Sequence, residues 1–299
     1  MTDGNDYVIV RVLNHNVVWV KEPAGSEIVL LGKGIGFRQK AGNTISLSDP
    51  RIEKKFRLED ETHAKKYRNL MNHIDQAVIG ISEEIIALIS QELKAEINEH
   101  IHVALPEHIQ FAMDRLRNGL EITNPFLFLI KVLYSKEFSL AKKAAELISR
   151  AFDIVIPESE MGFLALHIHS AISNYPVSKT VQLTSVIYEI VDKIEKEMAV
   201  EIQKGSMEYI RLIMHLRFVL ERIRQQKTIQ HPFLDHIKTD LHHEFRIAKG
   251  IGELISERLN VSVIEDELGY IAMHLYRLNE LKGGHVERSE QDVEKMVEE

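Results

Sequence analysis

Residues 108–169 reappear at 215–276: at a constant offset of 107, 23 of 62 positions are identical without a gap. A chain written this way folds as two copies of one unit. The offset pairs His108 with His215, Arg115 with Arg222, Pro125 with Pro232, Glu160 with Glu267, Gly162 with Gly269 and His167 with His274. Most matches are apolar, as a shared core requires. A histidine has no packing reason to return twice with the same 59-residue internal spacing, so the pairs point to shared chemistry.

Apolar residues at three- and four-residue intervals predict helices from about Tyr67 onward. Leu70, Ile74, Val78 and Ile81 carry the period, then Ile109, Ala112, Met113 and Leu116, then Leu140, Ala144, Leu147 and Ile148. Pro125, Pro157, Pro176 and Pro232 punctuate it, with Pro157 placed to open a helix running to about Ile172. Each repeat reads as an all-α bundle of roughly five helices. Before residue 58 the pattern differs: Tyr7–Leu13, Val17–Lys21 and Glu27–Leu31 are short β-branched or aromatic runs separated by turn residues. The expected fold is multidomain, a small antiparallel all-β N-terminal domain at 1–58 followed by two duplicated all-α helical bundles at 67–173 and 174–282. A charged linker at 59–66 and a flexible acidic tail at 283–299 complete it. The β-domain's core is small enough that a partner copy would help it bury apolar surface.

The absence of cysteine excludes disulfides, thiol nucleophiles and cysteine-based zinc sites, and fits the cytoplasm. The acidic, polar N-terminus lacks the apolar core of a signal peptide, and no apolar run is long enough for a bilayer. Residues 1–57 hold nine Lys or Arg against six Asp or Glu, whereas 58–299 hold 28 against 39. A polyanion would therefore meet the N-terminal module.

Within each repeat, histidine and arginine stand at i and i+7 on one helix face, His108 with Arg115 and His215 with Arg222, where an arginine could contact a phosphate. A metal site is disfavoured because Glu107 precedes His108 whereas Met214 precedes His215. His100, His102 and His169 lack a histidine counterpart and read as structural; His242 and His243 read as a surface pair. Phosphohistidine formation suits the four recurring rings. A neutral imidazole is nucleophilic, and a phosphoryl group adds a charge of about −2. In the N-terminal module Asn14-His15-Asn16 sits at a hairpin turn, and Gly32-Lys33-Gly34-Ile35-Gly36-Phe37 follows the third strand. Asparagine amides can read base edges, glycines let backbone approach a ligand, Lys33 meets phosphate and Phe37 offers a stacking face.

Those motifs, in that order, resemble the BglG/SacY/LicT transcriptional antiterminators over residues 7 to about 281. The resemblance implies a dimeric co-antiterminator RNA-binding domain and two regulation domains of the sugar phosphotransferase system (PTS). It implies Arg11, Asn14, Asn16, Gly32, Lys33, Gly34 and Phe37 as the RNA surface, and His108, His167, His215 and His274 as phosphoryl acceptors, with no cofactor and no enzymatic turnover. The partners it implies are a leader RNA hairpin, the phosphocarrier protein, a sugar-specific enzyme II and a second copy of the chain. His15, Lys33 and Met214 depart from the commoner asparagine, arginine and acid, and Lys33 with the His167-Ile-His169-Ser-Ala run is most similar to the glucose-specific branch. The rivals are a DNA-binding activator, for which the strand-rich start leaves no helix-turn-helix, and a histidine phosphoryl relay.

Overall fold

A computed structural model describes residues 6–57, 61–120, 122–173, 175–227 and 230–284. Residues 6–57 carry a five-stranded antiparallel sheet: β1 (Tyr7–Val12), β2 (Val17–Lys21), β3 (Glu27–Leu31), β4 (Thr44–Ile45) and β5 (Lys54–Arg57), in the order β4-β1-β2-β3-β5. The two edge strands escape a periodicity reading. β4 has two residues, and β5 is Lys-Lys-Phe-Arg, with one apolar side chain to betray it.

Alternation along β2 and β3 gives the sheet two apolar faces. Val18, Val20, Ile28 and Leu30 pack with Tyr7, Ile9, Ile35 and Ile45, so the loop after β3 closes this side. Val17, Trp19, Val29 and Leu31 pack instead against Tyr67, Leu70, Met71, Ile79 and Val103, which are helical or helix-flanking residues. Helices of the same chain thus bury the second face of a β-domain too small to do so itself.

Six helices accompany the sheet in one compact unit, Met1–Thr180. They are α1 (Glu61–Leu70), α2 (Gln76–Leu93), α3 (Ile101–Arg117), α4 (Leu127–Leu133), α5 (Ser135–Phe152) and α6 (Glu158–Ser173). The charged run expected to be a linker is helical from Glu61, because Tyr67 and Leu70 anchor it to the sheet. The second unit, Val181–Glu299, contains most of α7 (Val177–Met198), then α8 (Met207–Arg224), α9 (Leu234–Asp240), α10 (His242–Leu259) and α11 (Glu265–Gly284). Helices α2–α6 and α7–α11 are the two sets of five. The expected tail lies, from residue 285, outside the described residues.

The copies share their loop chemistry. Asp153 after α5 and Asn260 after α10 stand at matching positions, both left-handed with φ of 54° and 53°, a conformation that Asp and Asn tolerate better than other side-chain-bearing residues. Asp75 caps α2 by accepting from the Ala77 amide at 2.8 Å, and Ser206 caps α8 by accepting from the Tyr209 amide at 3.1 Å. No described helix is long and apolar enough to cross a membrane.

Candidate functional site

The N-terminal motifs, separate in sequence, meet in space. The Asn16 amide donates to Asn14 Oδ1 at 2.8 Å, closing the β1–β2 turn. Asn16 Oδ1 in turn accepts from the Gly34 amide at 3.0 Å, and the Gly36 amide donates to the His15 carbonyl at 2.9 Å. The turn and the glycine loop therefore form one surface. Gly36 is required there: a Cβ would lie 2.2 Å from the Asn14 carbonyl oxygen. Beside it Lys33 is exposed, and Phe37 is 52% exposed with its ring edge-on to His15 at 5.7 Å. Arg38, unread in the sequence, lays its guanidinium 5.3 Å from the Phe37 centroid. The surface thus offers an aromatic face with one cation against it and exposed Lys33 on the same loop.

Helix α2 and the residues before it reach the same surface. Glu84 Oε1 accepts from Asn14 Nδ2 at 2.8 Å and from Asn16 Nδ2 at 3.3 Å. Arg11 Nη1 donates to the Met71 carbonyl at 2.6 Å, and Lys54 Nζ to the Ala87 carbonyl at 2.9 Å. Gly80 lies under Asn14, where a Cβ would come within 2.6 Å of the amide nitrogen. Glu84 is 70 residues from Asn14, so no local pattern announces the contact.

The first histidine pair comes together between α3 and α6, with the His108 and His167 ring centroids 4.7 Å apart. An acid does accompany it, from a different helix. Glu160, buried on α6, takes Arg115 Nη2 at 2.5 Å on one oxygen and presents the other to His108 Nε2 at 3.6 Å. His108 Nε2, Glu160 Oε2 and His167 Nδ1 are buried without a hydrogen-bond partner. Burial, and then the Arg115 charge, lowers His108 to about 4. Burial, followed by His108 and His100, lowers His167 to about 3. Both rings are neutral at pH 7, each with a lone pair on one nitrogen.

The second pair repeats the plan between α8 and α11, His215 and His274 stacking at 3.7 Å and 24°. Arg222 holds Glu267 with two hydrogen bonds, Nε at 2.8 Å and Nη2 at 2.6 Å. Burial leads again, lowering His274 to about 4 with His215, Arg277 and Arg211 adding to it. His215 is lowered by burial, then by Arg211, Arg277 and Arg222. Arg115 and Arg222, expected to face phosphate, are thus committed to carboxylates of their own repeat. Arg211 and Arg277 lie just outside the aligned window of 215–276, where comparison at offset 107 would have set them against Ala104 and Ser170.

The histidines read as structural have carboxylate or aromatic partners. His102 Nδ1 donates to Glu83 at 2.8 Å, and the Tyr67 hydroxyl donates to the same carboxylate at 2.9 Å. His169 Nδ1 donates to Glu137 at 2.8 Å, with its ring 4.3 Å from that of Tyr134. His243 Nδ1 faces Arg246 at 3.0 Å, and His242 is exposed.

Residues 7–65 match the CAT RNA binding domain, and residues 83–171 and 188–278 each match the PRD domain. The PtsGHI operon antiterminator of Bacillus subtilis (strain 168) is 38% identical over 92% of this chain and 98% of its own length. Transcription antiterminator LicT of the same strain is 32% identical over 90% and 98%. Protein GlcT of Staphylococcus aureus (strain MRSA252) is 31% identical over 92% and 98%. The solved structure of GlcT CAT-PRDI is 39% identical, covering 56% of this chain and 99% of that one with a TM-score of 0.48.

Proposed function

The chain belongs to the family of transcriptional antiterminators that join a CAT RNA binding domain to two PRD domains, and from that premise we propose how its residues divide the work. Arg11, Asn14, Asn16, Gly32, Lys33, Gly34 and Phe37 bind a leader RNA hairpin that overlaps a terminator, so that transcription of sugar-phosphotransferase genes continues. The observation that carries this reading is the bonding of the Asn14–Asn16 turn to the glycine loop. It sets the Asn14 and Asn16 side chains, two cations and an exposed ring on one surface, a combination suited to unpaired bases and their phosphates. The chain works in the cytoplasm as a homodimer, on a glucose-type signal.

His108, His167, His215 and His274 receive phosphoryl groups from the phosphocarrier protein and a sugar-specific enzyme II. His108, His167 and His274, lowered to between about 3 and about 4, and His215, lowered as well, are unprotonated at cellular pH, as a nucleophile must be. The first repeat, phosphorylated when sugar is scarce, blocks activity; the second supports it. These histidines receive and release a group rather than turn over a substrate.

A gel shift of the full chain against a terminator-overlapping hairpin tests the RNA surface. Phe37→Ala removes an exposed ring without disturbing the core and is expected to weaken binding about tenfold. Unchanged binding by both Phe37→Ala and Asn16→Ala would place the RNA elsewhere.

A further inference from the structure

The second repeat carries two arginines that the first lacks. Arg211 stands one helical turn before His215 on α8, and Arg277 three residues after His274 on α11. Residues separated by three or four positions share a helix face, so both side chains rise beside the stacked rings. Arg211, Arg277, His274 and Glu208 line one small pocket of about 20 Å³. At the matching place in the first repeat, Ala104 and Ser170 replace the arginines, and the cavity beside His167 is larger, about 190 Å³. A pocket therefore opens beside the second histidine of both copies, and its size and lining differ.

Arg211 and Arg277 are exposed and, among the described residues, have no carboxylate ion pair, whereas Arg222 spends its guanidinium on buried Glu267. The charges of Arg211 and Arg277 act on both rings. Two uncommitted guanidinium groups converging on a nucleophilic imidazole pair make a phosphate-shaped environment, since each planar fork can donate two parallel hydrogen bonds to phosphoryl oxygens.

We propose that Arg211 and Arg277 are the phosphoryl clamp of the second repeat, holding the dianionic group carried by His215 or His274. This rests on the reading that the second repeat's histidines are acceptors, and it names the groups that recognise the phosphate there. In the transfer, a lone pair on the acceptor ring forms the new N–P bond as the donor phosphohistidine's N–P bond breaks and returns its pair to the donor nitrogen. The proton lost from the acceptor ring's other nitrogen passes through solvent to the donor. The arginines offset the arriving charge of about −2. Glu208, on the pocket's rim, keeps an empty clamp from being wholly cationic.

The test treats the full chain with phosphoramidate, whose P–N bond breaks with loss of ammonia, using free histidine as a reagent control. Phosphorus NMR and peptide mass mapping then read the label at each histidine. The double variant Arg211→Gln/Arg277→Gln is expected to lower the label on His215 and His274 by about tenfold and to leave that on His108 and His167 unchanged. Arg→Lys at both positions should recover part of it, because charge is kept and the fork is lost. Both substitutions are at exposed positions, and circular dichroism verifies the fold. An undiminished second-repeat label in the double variant overturns the clamp. A parent labelled in the first repeat but not at His215 or His274 overturns instead the acceptor reading beneath it, and the two failures are distinct in one spectrum.

Discussion

In the first repeat the rings lie 4.7 Å apart, His108 faces the spare oxygen of Glu160, and His108 Nε2, Arg115 Nε, Glu160 Oε2 and His167 Nδ1 are buried without a hydrogen bond. In the second the rings stack at 3.7 Å, the arginine takes both oxygens of Glu267, and two further arginines border the site. Both pairs are kept neutral, and burial is the leading cause in each. What differs is the next contribution. In the first repeat it comes from the committed Arg115 and from other histidines; in the second, uncommitted cations join in. Duplication preserved an arginine paired to a buried glutamate in each repeat and let the rim diverge.

The largest expected effect separates the two pairs chemically. Replacing His108 and His167 with alanine should abolish phosphorylation of the first repeat and leave the second labelled, with the reverse for His215 and His274. Mapping by mass spectrometry reads it, and cross-loss between repeats would mean that they do not act as independent acceptors. Next comes the buried pair. Glu160→Gln strands Arg115, whose side chain is 13% exposed, whereas Glu267→Gln strands Arg222 at 29%. The first should cost about 3–5 kcal/mol, and the second less, since water reaches its arginine. Hydrogen exchange of α3 and α8 peptides in the whole protein checks the order, and equal losses would remove burial as the distinction.

Smaller still is the glycine comparison. A Cβ at Gly162 meets Asn124 Nδ2 at 2.7 Å and Leu127 Cδ1 at 3.1 Å, while at Gly269 the nearest atoms are Leu234 Cδ1 at 3.0 Å and His231 carbons at 3.5 Å. Gly162→Ala should destabilise by about 1–3 kcal/mol through crowding. At Gly269 the gain of up to about 1 kcal/mol in helix propensity should nearly cancel the strain. Urea midpoints of the two variants decide it. The last difference between the repeats is in their response to pH. Folded rings lowered to about 4 and about 3 in the first repeat refuse protons that unfolded rings accept below about 6.5. The unfolded state then binds more protons, so stability is lost as pH falls from about 6.5 towards 4. Exchange protection should fall further in α3 than in α8 over that window; the opposite order would reverse the comparison.

Much of this architecture is legible in the sequence, because apolar periodicity and an ungapped repeat are local or self-referential signals. They yield five helices per repeat, the three long strands and the recurrence of His108 and His167 as a pair. Contacts made by one polar side chain across the fold leave no such trace. Arg115 was readable as a helix-face cation, but its capture by Glu160 depends on how α6 lies against α3. Strand β5 hides because it is an edge strand with polar residues facing outward. Arg211 and Arg277 sit within reach of the same repeat comparison, just beyond its ends.

The hydrogen bonds from Asn14 and Asn16 to Glu84 make α2 an internal ligand for the proposed RNA surface. A tethered ligand competes at an effective concentration in the millimolar range, without regard to how much protein is present. The affinity observed for a hairpin is then the intrinsic affinity of the turn-and-loop surface scaled by the fraction of molecules in which Glu84 has let go. A change in that fraction alters occupancy of the RNA without altering any residue that touches it, so the output can be graded by the position of a single helix.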